Sequence, residues 1–357
     1  CLQMFSFAIY LVIKMIRYGR VPTRLEFVAL GVTSAFVFWI KFSLLGFYLG
    51  FFCVIVWWLA RHRDIRRMIH TIICIAVGFL IPTVFVLIYF GMNKAIADMW
   101  TVYFYNNLFF YCTSSDDNFI VSLALNLIAG IKNVIIASGI PAIFIGIGLL
   151  ALLKKSDKTE FFAYLIMDIF TFLLIYIGGR HSMYYSMIFN AFVPIGILVA
   201  YQTLDYYLFS RFKTANALSI FHRFKGGILC LLSLVYAFIQ CDNTYLLNYD
   251  RSDLPQYEFA KIISKSENAT LLNYGFLDGG FYTTTGIIPN CRFFCNLNIE
   301  LDEIMQTQNR FIKEGKVDFV VTRNAELESE QYKCVASSTF YFEGIDFEYF
   351  LYQRKGR

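Results

Sequence analysis

Residues 231–262 read LLSLVYAFIQCDNTYLLNYDRSDLPQYEFAKI, and inside this stretch, near Cys241, the chain changes solvent. Upstream, apolar residues come in long runs rather than periodic stripes, which is the transmembrane signal. Downstream they mix with charges at helix and strand spacing. The charge balance turns at the same place. Residues 1–241 carry 19 Lys+Arg against 9 Asp+Glu, and residues 242–357 carry 12 against 17. A chain that is 58% hydrophobic and 19% aromatic exceeds what an ordinary soluble domain carries.

Working outward, about eight apolar runs precede the boundary: 1–13, 26–39, 44–60, 71–91, 134–153, 160–178, 187–207 and 227–241. An 18-residue helix covers about 27 Å, close to a bilayer core. The 26–39 run is short for a span, and with 44–60 it reads as a tilted or re-entrant hairpin. The predicted fold is a polytopic α-helical membrane region over 1–241, followed by a small α/β domain over 242–357.

The loops sort by charge. One set holds Lys14, Arg17, Arg20 and Arg24, then Arg61, Arg63, Arg66 and Arg67, then Lys154, Lys155 and Lys158, then Arg211, Lys213, Arg223 and Lys225. The alternate set holds only Lys41, Lys94, Lys132 and Arg180. The positive-inside rule makes the first set cytoplasmic, so the last span delivers the tail to the non-cytoplasmic face of a plasma-type membrane. The chain opens on Cys1 inside an apolar run, which predicts further spans upstream. Cys53, Cys74 and Cys230 lie in apolar runs as packing residues, whereas Cys112, Cys241, Cys291, Cys295 and Cys334 fall on the side where disulfides are permitted. Cys291-x-x-x-Cys295 has no His or second Cys pair beside it, so no metal site is expected and pairing stays open.

In the tail, 255–266 reads as a helix with Pro at its first turn and 269–274 as a buried strand. Residues 299–314 form a second helix, 316–321 a second strand, and 332–342 with 346–353 a hairpin over Glu343-Gly344. This order predicts a small α/β layer with a mixed sheet. The stretch 275–289, GFLDGGFYTTTGIIP, is either a surface loop with two tight turns or a saccharide or phosphate contact lined by its glycines with Asp278 and Tyr282.

Chemistry-bearing groups gather at the outer face. GGRHSMYYSMIFNAFVP (178–194) supplies Arg180, His181, Tyr184 and Tyr185. Arginine presents a fork of donors suited to phosphate. Interfacial anchoring is the other reading of the same residues. Lys41 is a lone cation between two apolar runs, either snorkelling or serving as a second phosphate partner. The expected external stretch 92–133 contains MWTVYFYNNLFFY (99–111), with Asn106 and Asn107 among aromatics. It reads as a helix lying on the membrane surface or as the roof of a sugar cavity. Asp98, Asp116 and Asp117 are the acidic residues of this outer face, and a base for a sugar hydroxyl would be a carboxylate there. Asp168, inside the 160–178 run, is an intramembrane carboxylate and so a functional candidate.

WIKFSLLGFYLGFF (39–52), the GGRHSMYY turn and DGGFYTTTGIIP (278–289) together resemble the polytopic GT-C glycosyltransferases, in particular bacterial relatives of protein O-mannosyltransferases and aminoarabinose transferases. The resemblance implies an inverting transfer of a sugar from a polyprenyl-phosphate-type lipid carrier to a polysaccharide, lipid or protein acceptor of the cell envelope. It implies that Lys41, Arg180 and His181 hold the carrier phosphate, with Tyr184 and Tyr185 at the cavity wall. The family's catalytic carboxylate lies in a first external loop that nothing here matches, which places it upstream of Cys1. No organic cofactor or nucleic-acid partner is expected, and a divalent cation is the one cofactor left open. Two other classes compete: a transporter or flippase of lipid-linked sugars without bond cleavage, and a membrane-anchored binding protein.

Overall fold

The computed structural model describes residues 1–110, 119–155, 157–211, 215–241, 243–299, 301–342 and 344–356. The chain packs as two compact units, Cys1–Lys213 and Thr214–Arg357.

The first unit is helical. Its helices are α1 (Leu2–Tyr18), α2 (Arg24–Ile40), α3 (Gly46–Arg61), α4 (Ile65–Met92), the short α5 (Ile96–Met99) and α6 (Asn106–Phe109), α7 (Phe119–Leu153), α8 (Thr159–Tyr176) and α9 (Val193–Arg211). Among the described residues, five segments are long and apolar enough to cross a membrane: Phe42–Arg61, Ile65–Met92, Ile120–Leu153, Thr159–Tyr176 and Met183–Tyr207. α1 and α2 have 17 residues each, so each covers about 26 Å, slightly less than a ~30 Å hydrocarbon core. Ile128, Ile135, Ile143 and Leu150 form an exposed stripe along α7, and Phe85 on α4 is 70% exposed. Apolar surface on this scale is at home in lipid rather than water.

Close helix contacts use small residues. A Cβ on Gly46 would lie 2.2 Å from the Phe170 carbonyl oxygen, and one on Gly50 would lie 2.8 Å from Met167 Cα. The Gly-x-x-x-Gly pair therefore lets α3 and α8 touch backbone to backbone. α2 and α4 meet the same way through Gly31 and Gly78, and they run parallel, since Gly31 meets Ile75 and Gly78 while Trp39 Nε1 donates to Thr83 Oγ1 at 3.1 Å. Behind these seams Phe5 stacks on Phe47 with centroids 3.9 Å apart, within a core that includes Tyr48, Phe51 and Phe192. At the basic end, Arg17 grips Glu160 with two hydrogen bonds of 2.9 and 2.8 Å, tying α1 to the start of α8.

One sequence expectation is corrected. Residues 92–133 are not a single external stretch, because α7 starts at Phe119 and carries Lys132 within it. Asn126, Gly130 and Asn133 interrupt the apolar run without ending the helix, because that face turns toward protein rather than lipid. α7 is broken at Ser138 (φ −144°, ψ 40°), three residues before Pro141. Proline removes a main-chain donor and crowds the preceding turn, which accounts for the kink.

The second unit begins with α10 (Ala215–Ile239), which contains the apolar segment Gly226–Ile239. It continues with α11 (Pro255–Ile263), β1 (Leu271–Asn273), α12 (Phe281–Thr285), α13 (Asp302–Lys313), β2 (Phe319–Arg323), β3 (Tyr332–Phe342) and β4 (Ile345–Arg354). The sheet is mixed, in the order β1-β2-β4-β3, with β1 parallel to β2 and the other pairs antiparallel. The expected helices, strands and hairpin of the tail are all present, with ends shifted by a few residues. Asp318, nearly buried, receives the main-chain N–H and the hydroxyl of Thr270 at 2.9 and 2.8 Å, pinning the start of β1 beside β2. Among the described residues every cysteine is a free thiol, and burial pushes the Cys291 and Cys295 thiols up.

Candidate functional site

α2 ends at Ile40, and Lys41 leaves it in an extended conformation before the short turn Phe42–Leu45. α8 ends at Tyr176 and is followed by Gly179, whose φ of +78° suits glycine. Arg180 and His181 come next, and Met183–Phe192 then winds as a 3-10 helix into α9. These two links converge. Lys41 Nζ lies 3.3 Å from the centroid of the Tyr185 ring and 5.1 Å from that of Tyr184, while the two rings meet edge to face at 4.7 Å. Tyr185 is buried and Tyr184 exposed, so the ammonium lies between a buried ring and an exposed one. Burial pushes Lys41 down to about 8, while the ring faces favour its charged form.

The His181 side of the turn is held by α7. His181 Nε2 donates to the Asn126 carbonyl at 2.9 Å, leaving Nδ1 as the ring nitrogen able to meet a substrate. Asn133 Nδ2 donates to the His181 carbonyl at 3.1 Å, and the Tyr176 hydroxyl donates to Asn133 Oδ1 at 2.8 Å. The Tyr176 ring stacks on His181 at 5.8 Å, and Ser138 and Ser186 share a hydroxyl hydrogen bond of 2.7 Å. Sequence reading missed Asn126, Asn133 and Tyr176. Their signal is there in retrospect: Asn126, Gly130 and Asn133 repeat at helical spacing on one face of an otherwise apolar segment.

The aromatic segment flanks the same place. Trp100–Tyr105 is a π-helical turn between α5 and α6, and the Tyr103 ring lies 5.6 Å from Trp39 and 5.9 Å from Phe42, the two neighbours of Ile40-Lys41. Its hydroxyl donates to the Phe38 carbonyl. Asn106 is buried, and the Asn107 amide is spent on the carbonyls of Val102 and Tyr103. The segment is thus docked on the end of α2, and Asn107 holds its own turn. Asp98 is exposed in α5, whereas Asp116 and Asp117 lie outside the described residues.

No family model, characterised protein or solved structure matches this chain.

In the second unit, Tyr282 is buried, while Asp278 is exposed and bonded to its own loop. Asp278 Oδ1 accepts from Asn273 Nδ2 at 3.0 Å and from the Gly280 N–H at 3.1 Å. The Tyr282 hydroxyl lies 3.0 Å from the Leu271 carbonyl, 2.7 Å from that of Phe294, and accepts from the Asn273 N–H at 3.3 Å. Burial among these groups pushes the phenol up. The stretch 275–289 is a surface segment with positive-φ turns at Gly275, Gly280 and Gly286, anchored by the buried Phe276, Phe281 and Tyr282 and carrying the short α12. Among the described residues, no group of His, Cys, Asp or Glu is placed to hold a metal ion.

Proposed function

We propose that this protein is a membrane glycosyltransferase that takes a sugar from a polyprenyl-phosphate-type carrier at the outer face and transfers it, with inversion, to an envelope acceptor. The observation that carries this reading is the convergence of Lys41 with the Arg180–Tyr185 turn, two segments far apart in sequence. In such a reaction an acceptor hydroxyl attacks the anomeric carbon, the bond from that carbon to the phosphate oxygen breaks, and the carrier phosphate leaves with the bonding electrons. The developing charge is met by the Lys41 ammonium, which the tyrosine rings hold in place before the reaction, and on this reading by the guanidinium of Arg180 from the same turn as those tyrosines. Tyr184 and Tyr185 line the approach, and His181 Nδ1 adds a hydrogen-bonding atom. The resemblance puts the acceptor's base in a first external loop, so the groups here supply the leaving-group half of the chemistry.

The full-length protein in membranes with labelled polyprenyl-phosphate sugar is expected to transfer label, and Arg180→Ala to lose most of that turnover. Unchanged turnover in Arg180→Ala removes the phosphate site.

A transporter of lipid-linked sugars is the second reading, favoured by Asp168. Its Oδ1 is buried in α8 without a hydrogen-bond partner, and such a carboxylate suits an ion-coupled path. Movement of the labelled lipid across sealed vesicles with no chemical change selects it.

A further inference from the structure

The opposite end of α2 holds a second, separate feature. A cavity of about 630 Å³ opens where α2 and α4 begin, between the link 19–23 and the first turns of both helices. It lies a helix length, about 26 Å, from the Lys41 cluster. Because α2 and α4 run parallel, both present their N-termini to it; the Thr23–Glu26 capping box closes one and Asp64 caps the other, which leaves an anion to the side chains of the rim. Arg24 comes from α2, and Arg66, Arg67 and His70 come from α4. Asp64 also lines it, but its carboxylate caps the Arg67 N–H at 3.0 Å and pairs with the Arg67 guanidinium at 3.3 Å. The nearby Glu26 carboxylate is bound to Lys14 at 2.6 Å. Arg24 and Arg66 therefore carry the uncompensated positive charge of the rim.

The floor adds an independent observation. Thr71 lines the cavity, is 3% exposed, and its Oγ1 is buried with no hydrogen-bond partner. A helical threonine ordinarily donates to the carbonyl four residues earlier. A buried hydroxyl without a partner costs free energy unless something completes it. A phosphate oxygen would accept that proton while its charge is met by the arginine forks. The volume falls in the range of small-ligand sites, larger than a bare ion needs and suited to a glycerophosphate-sized group.

We propose that this cavity binds a phosphate ester, with Arg24 and Arg66 as charge partners and Thr71 as the buried donor. Two sources share this chemistry. One is the headgroup of an anionic phospholipid in the leaflet that the basic loops mark as cytoplasmic; the other is a soluble phosphate ester.

The test uses the full chain in a phosphate-free maltoside detergent, titrated separately with short-chain phosphatidylglycerol and with glycerol 3-phosphate. The expected result is saturable binding, weakened about tenfold by Thr71→Val, which keeps the side-chain volume, and about a hundredfold by Arg24→Gln with Arg66→Gln. Lys154→Gln, at a basic loop away from the cavity, should bind as the parent does. Binding of the lipid alone identifies a headgroup site, and equal binding of glycerol 3-phosphate identifies a soluble ester. Absence of binding by both probes overturns the proposal, as does parental affinity in both the Thr71 and the double-arginine variants.

Discussion

The Lys41 ammonium lies 3.3 Å from the centre of the Tyr185 ring, a contact made across the end of α2 and the turn after α8. It fixes the cation without neutralising it, because a ring face attracts charge but offers no counter-ion. Lys41→Met is expected to lower transfer of labelled sugar by about a hundredfold, in line with loss of one donor aimed at developing charge. Tyr185→Phe keeps the ring face and should retain most activity, while Tyr185→Leu should not. Equal activity in Phe and Leu variants would show that the ring plays no part.

The same lysine sets a pH dependence. On the proposed reading its charged form meets the carrier phosphate, and burial pushes it down to about 8, so kcat/KM is expected to fall as pH rises through that value. Lys41→Arg stays charged and should lose this limb. For stability the sign is opposite. Between about 8 and the ordinary lysine value the unfolded chain holds more protons than the folded one, so folding gains as pH rises across that window. A limb near 8 that persists in Lys41→Arg would assign it elsewhere.

Tyr176→Phe strips the donor from Asn133 Oδ1 while keeping the ring on His181. A buried acceptor left without its partner costs about 1–3 kcal/mol. The expected outcome is a lower melting temperature together with weakened donor binding, seen as a raised KM. Parental thermal unfolding in this variant would refute the role given to the Asn133 link.

Gly50→Leu places atoms where Met167 Cα stands, so α3 and α8 must separate. A loss of at least about 3 kcal/mol is expected, beyond the usual cost of overpacking because backbone rather than a side-chain tip is hit. Gly139→Leu is the control, since a Cβ there meets nothing within 4 Å. The two are compared by detergent-solubilised thermal unfolding, and similar melting temperatures would contradict the tight seam.

Tyr282→Phe separates a structural phenol from a sugar contact. With its hydroxyl among the Leu271, Phe294 and Asn273 main-chain groups, removal is expected to cost about 1–3 kcal/mol, read as a lower melting temperature. Transfer per folded molecule should stay at the parental level. Reduced transfer at unchanged stability would make it a substrate contact after all.

Much of the fold was legible because lipid and water select different residue patterns. The apolar runs located the helices, and alternating burial with Gly-ended segments located β1, β2 and the hairpin. The start of α7 was not legible. Asn126, Gly130, Lys132 and Asn133 look like loop residues in isolation, and the partners of Asn126, Gly130 and Asn133 at 176–181 lie about fifty residues away. The candidate site was legible in its residue types, Lys41 and Arg180 through Tyr185, but not in its second layer. The burial of Tyr282 was not legible for a related reason, since a glycine-rich stretch with a tyrosine gives no sign of whether its hydroxyl faces solvent or the neighbouring backbone.

The break at Ser138 gives α7 a mechanical meaning beyond its length. The first rod, ending near Ser138, carries Asn126 and Asn133 and so holds the His181 turn; the second rod carries Phe144, whose carbonyl lies against Gly196 of α9. A straight helix would transmit any tilt of one end to the other. A helix jointed at one residue turns at that point, so the His181 turn and α9 are held along two different axes.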